Sequence, residues 1–209
     1  MKSPELRKEL SELLLHKRGI RINLQLPLIE SEDEICLRSS DEVFERLLAL
    51  SLLYAKAQPA SAETGSSAAL AALSSQERAC LDAGDTERCL HIAKEALRFL
   101  AWCCGLQAQA GMPEPRKSDA ELSALVQKIN RNPELLRHDI RLRSKSDILD
   151  WADLLYRLHW AVRHAHITGK PTPGRLDAHA VHEWHKVANW LIRFEEEDDW
   201  DRISTETAG

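Results

Sequence analysis

The chain has 209 residues, a formal net charge of −5 and a pI near 6.0. With 44% hydrophobic and 29% charged residues it has the composition of one ordinary soluble domain, expected in the cytoplasm. The charge gives no basic footprint for nucleic acid, no window approaches the roughly eighteen apolar residues of a membrane span, and a basic protein partner is permitted.

Ser3-Pro4-Glu5 reads as a helix start, and Leu6, Leu10, Leu13 and Leu14 form the stripe expected to face inward until Gly19. Ile20, Ile22, Leu24 and Leu26 then alternate with polar residues, which predicts a minor strand or an extended arm over residues 20–26. Ser40-Asp41-Glu42 opens the next helix, with Val43, Leu47, Leu50 and Tyr54 inward. Residues 58–73 are Ala- and Ser-rich around Gly65 and read as a flexible internal loop with an end able to form helix.

A short helix is expected from Ser74 to about Gly84, and Asp85-Thr86-Glu87 opens a central one that is apolar over more than half its circumference. Ser118 to Ile129 is a further amphipathic helix. Asn130 to Ser146 is a polar, Arg-rich connection. Asp147 to Thr168 and Ala178 to about Phe194 are two aromatic, His-rich helices. The last of them should end before Glu195, because acids oppose the dipole at a helix C-terminus. The fold class is therefore all-α, a single helical domain over 1–209. Five cysteines without CxxC spacing read as reduced core residues.

Functional candidates concentrate in the last third. Asp153 and Arg157, four apart, suit an ion pair. Asp150, Asp153, Arg157, His159, His185 and Asn189 are candidates for a structural polar network between the last two helices. In an alternative reading Asp153, His159, Glu183 and His185 would serve acid–base catalysis, which needs them to converge. His179, His182 and His185 step by three, which drifts about a third of a turn across two steps, and they lack the HExxH pattern. No metal site and no cofactor is assigned. Glu196, Glu197, Asp198, Asp199 and Asp201 surround Trp200 and form a candidate docking edge for a basic protein; pairing with the Arg-rich connection is the competing reading.

The chain resembles the bacterial domain-of-unknown-function family 4272. The resemblance runs through GIRINLQLPLIE (Gly19 to Glu30), LRSSDEVFERLLAL (Leu37 to Leu50), EALRFLAW (Glu95 to Trp102), DLLYRLHWAVRHA (Asp153 to Ala165), EWHKVANWL (Glu183 to Leu191) and WDRISTET (Trp200 to Thr207). It implies a helical domain whose characteristic polar residues fall at Arg38, Arg46, Glu95, Asp150, Asp153, Arg157, His159, Glu183, His185, Asn189, Asp201 and Thr207. The family usually carries an arginine where this chain has Trp184. No activity comes with the resemblance. The favoured function is a non-catalytic protein-binding domain, such as an inhibitor or immunity protein covering a basic partner. The alternative is a small hydrolase or other acid–base enzyme.

Overall fold

The computed structural model describes residues 2–58 and 66–207. Among them the α-helices in chain order are α1 (Pro4–Lys17), α2 (Ser40–Lys56), α3 (Ser67–Ala71), α4 (Ser75–Asp82), α5 (Thr86–Cys103), α6 (Ala120–Arg131), α7 (Pro133–Asp139), α8 (Lys145–Ile167) and α9 (Ala178–Leu191). The described residues contain no strand, so the chain is mainly helical. Of the expected flexible loop, residues 59–65 lie outside the described residues, and Ser67–Ala71 is helical, capped by Ser66.

Helix starts follow local chemistry. Ser39–Glu42 and Ser74–Glu77 form reciprocal capping boxes, and Ser3, Asp85, Ser144 and Asp177 cap α1, α5, α8 and α9. The Arg-rich connection contains α7, started by Asn132 and Pro133. The last helix ends at Leu191, earlier than expected.

The main core lies where α2, α5, α8 and α9 meet. At its centre Phe99 stacks on Trp102 and Trp184, with ring centroids 5.6 and 5.0 Å away, while Trp151 meets all three edge-on. A smaller cluster under α1 and the arm joins Leu15, Ile20 and Leu26 to Leu154, Leu158 and Val181.

Two inward assignments are corrected. Residues 20–26 form an arm, because Asn23 turns the backbone: its side chain accepts from the Gln25 amide, and its carbonyl accepts from the Leu26 amide. Ile20 and Leu26 are thereby buried, and Leu24 is 66% exposed. Helix α1 is also rotated from expectation. Leu6, Leu10 and Leu13 are 43%, 46% and 47% exposed, whereas Arg7, Ser11 and Leu15 are buried. The reason is Arg7, whose guanidinium donates to Asp150, Glu32, Ser146 and the Lys2 carbonyl. A charge held by that many partners fixes the buried face of the helix.

Candidate functional site

Helices α8 and α9 pack side by side and bring the expected polar residues together in separate groups. Asp153 and Arg157 are both buried, not surface-exposed, and pair bidentately at 2.9 and 2.7 Å. Arg157 also donates to the Pro27 carbonyl, so this pair anchors the arm from beneath. Asp150 belongs to a different group, bound to Arg7 and Lys2. Glu183 pairs with His182 at 2.9 Å.

His159 and His185 do converge, with their Nδ1 atoms 3.0 Å apart. Asn189 Nδ2 lies 3.2 Å from His185 Nε2 and donates to the Ser204 carbonyl at 2.8 Å. That carbonyl fixes the amide orientation, so Nδ2 is a donor to His185 as well. His185 Nε2 must then accept, which puts its proton on Nδ1 and directs it at His159 Nδ1. The same logic leaves the His159 proton on Nε2. The pair is thus a directional chain running from the C-terminal segment through α9 to α8, and it holds one proton between the rings.

Both rings are neutral. Burial, with His182 and Arg163 nearby, lowers the His159 pKa to about 4 against a backbone hydrogen bond at Thr205. Burial, followed by the nearness of His159 and His182, lowers His185 to about 3. Burial alone would raise Glu183, but the His182 hydrogen bond and Lys186 hold it below its ordinary value. The catalytic grouping therefore reduces to His159 and His185, because Asp153 is committed to Arg157 and Glu183 to His182. His182 is the residue that sequence reasoning underrated: its ring sits edge-on to His159 with centroids 5.4 Å apart. His179 stacks on His91 at 3.6 Å instead of joining His185.

His185 and Asn189 face a cavity of about 140 Å³ shared with Tyr156, Phe194, Glu30 and the Pro27–Ile29 arm. That is below the roughly 300–1,000 Å³ of sites for drug-sized ligands. Among the described residues no group of three or more His, Cys, Asp or Glu is arranged to hold a metal ion.

Every polar residue singled out by the family resemblance has a partner within the chain. Beyond those above, Arg38 donates to the Trp190 and Glu197 carbonyls, Arg46 pairs with Glu77, Arg163 donates to Thr207, and Asp201 accepts from the Gln76 amide. Glu95 accepts from the indole N–H of Trp184 at 3.2 Å and lies 3.4 Å from Arg98 Nε. Trp184 thus keeps Glu95 satisfied at the position where the resemblance leads one to expect an arginine.

The acidic C-terminal segment is partly committed to the fold. Asp198 pairs with Arg38 and Arg193, and Glu197 with Arg202, so the Arg-rich connection is not its partner. From that connection, Arg137 pairs with Asp41, while Arg141 and Arg143 donate to backbone carbonyls. Trp200 is buried, packed on Trp190 and covered by Arg46 and Lys186. The Asp199 carboxylate accepts from the Asp201 amide and so shapes the local turn. Glu195 and Glu196 are exposed on a turn in which Arg193, Glu195 and Glu196 have φ of 55°, 56° and 55°.

The family model described as "Domain of unknown function (DUF4272)" matches residues 7–203, nearly the whole chain, and the chain belongs to that family. No curated protein and no solved structure matches.

Proposed function

We propose that this DUF4272 domain is a non-catalytic protein-binding module, of the kind that covers and inhibits a basic partner. The observation that carries the reading is the outward apolar face of α1. Leu6, Leu10 and Leu13 follow i, i+4, i+7 spacing, stand nearly half exposed, and are locked outward by the buried Arg7 cluster. An apolar helix stripe facing water is a feature that partner helices and grooves recognise. Lys8 holds the carbonyls of Leu24 and Leu26, which brings the exposed Leu24 beside this helix.

The preference for a basic partner rests on Glu195 and Glu196. Their turn places three non-glycine residues in the left-handed region, at a cost of roughly 1 kcal/mol or more each. The two carboxylates are exposed and form no ion pair among the described residues, which leaves them open to a basic partner. A non-catalytic role is supported by the commitment of these polar residues to intramolecular partners.

The test compares the wild type with the triple variant Leu6→Glu/Leu10→Glu/Leu13→Glu in capture from the native host, followed by titration of the purified partner. Loss of at least about 1.4 kcal/mol of binding, a tenfold weakening, with the same melting temperature supports the proposal. Equal binding by the variant overturns the α1 face. One observation favours an acid–base enzyme as a second reading: His185 and Asn189 line a cavity. That reading requires turnover of an ester, amide or phosphoester by the wild type and its loss in His185→Asn.

A further inference from the structure

Cys80 lies in the last turn of α4 and Cys89 in the first turn and a half of α5. The two helices are joined by a tight turn in which Gly84 has φ of +65° and the Asp85 side chain caps α5 by accepting from the Arg88 amide. That turn brings the thiols into contact, with Sγ atoms 2.6 Å apart and exposures of 0% and 2%. A disulfide needs an S–S separation of about 2.0 Å, so closing the bond requires a shift of only some tenths of an ångström in side chains already facing each other.

We infer that Cys80 and Cys89 form a reversible intramolecular disulfide, a modification site accepting oxidation by a peroxide. The remaining cysteines lack this arrangement: Cys36 is exposed, and Cys103 and Cys104 are chain neighbours buried in the core. The chemistry balances as follows. Cys89 Sγ loses its proton and attacks a peroxide oxygen, breaking the O–O bond; its sulfur becomes a sulfenic acid and the other oxygen leaves as water. Cys80 Sγ then attacks that sulfur, its own proton joins the departing hydroxide, and a second water leaves. Two thiols have lost two electrons and two protons, and one hydrogen peroxide has been reduced to two waters.

The site is slow by construction. Burial, and then the hydrogen bond and proximity of Cys80, push the Cys89 thiol up to about 12, so the thiolate is scarce near neutral pH. A scarce thiolate makes the oxidation slow, so the test runs over hours. Once formed, the bond ties α4 covalently to α5. In the reduced protein the eight-residue α4 is tethered through the Glu77–Arg46 pair and the Gln76 amide bound to Asp201.

The experiment treats the folded protein with hydrogen peroxide for several hours, unfolds it in alkylating reagent, and digests it with trypsin without reduction. Cleavage after Arg78, Arg88 and Lys94 puts the two cysteines on different peptides, residues 79–88 and 89–94. The expected product is those peptides joined, lighter by two hydrogens than their sum, returning to separate peptides after dithiothreitol. The oxidised protein should also melt several degrees higher, and Cys80→Ser should abolish both effects. Recovery of both peptides separately alkylated overturns the inference, as does oxidation of Cys89 to a sulfinic acid without a crosslink. Cys36→Ser, run in parallel, removes intermolecular dimers through the exposed thiol and must leave the crosslink intact.

Discussion

Acid titration of the His159–His185 pair gives a signature that can be worked out from the structure. Both rings are nearly closed to solvent, at 6% and 2% exposure, and share a single proton between their Nδ1 atoms. A second proton on the pair would set two donors against each other. In the unfolded chain each ring titrates near 6.5, whereas in the folded protein His159 titrates at about 4 and His185 at about 3. Between these values the unfolded state holds more protons. Stability is therefore greatest above pH 6.5 and falls as pH falls, by about 1.4 kcal/mol per unit for each ring. From pH 6.5 to 5 the two rings together cost on the order of 3 kcal/mol, with His91, lowered chiefly by burial, adding in the same direction. Carboxylates such as Glu42, held at about 2 by the Ser39 cap and Arg38 against the upward effect of burial, add their own loss below about 4.5. The window from 6.5 to 5 belongs to the histidines. Urea unfolding at half-unit steps measures the slope, which should roughly halve in His185→Gln even if that variant is less stable throughout. A flat profile over the window, or an unchanged slope in the variant, refutes the buried neutral pair. Nitrogen-15 NMR should find the proton on Nδ1 of His185 and on Nε2 of His159.

Other outcomes follow from packing. Asp153→Ala leaves the Arg157 guanidinium buried without its bidentate partner and should cost about 3–5 kcal/mol in chemical denaturation, whereas Asp153→Leu/Arg157→Met should recover most of that loss. Gly174→Ala should destabilise by about 1–3 kcal/mol in the same assay, because Gly174 has φ of +60° and a Cβ there would lie 2.6 Å from the Ile20 side chain. Replacing Glu197, Asp198 and Asp199 together with alanine should lower stability by no more than about 1–2 kcal/mol: the Asp198 side chain is 73% exposed, and Arg38 keeps Glu42 and two backbone carbonyls.

The features readable from sequence are those set within a few residues. Ser3, Ser74 and Asp85 announce their helices because a cap needs only its own first turn. The ion pair of Asp153 and Arg157 was legible from four-residue spacing, although its burial was not. What sequence reasoning missed depends on distant partners. The leucines of α1 carry the usual inward pattern, yet Arg7 wins the buried face through Asp150, which lies far along the chain. Alternation in residues 20–26 suggested a strand, but the Asn23 turn ends it after one step. The sequence does group His159, His185 and Asn189 between the last two helices, but the Nδ1-to-Nδ1 contact itself depends on how α8 and α9 pack. The same holds for Trp184 and Glu95, joined between α9 and α5.

The most direct test of the protein-binding account measures partner affinity and melting temperature together for the wild type, the α1 triple leucine variant and Glu195→Lys/Glu196→Lys. The account predicts binding weakened at least tenfold in the leucine variant, salt-sensitive binding lost in the lysine variant, and little change in melting temperature for either. Undiminished binding in both variants would contradict it.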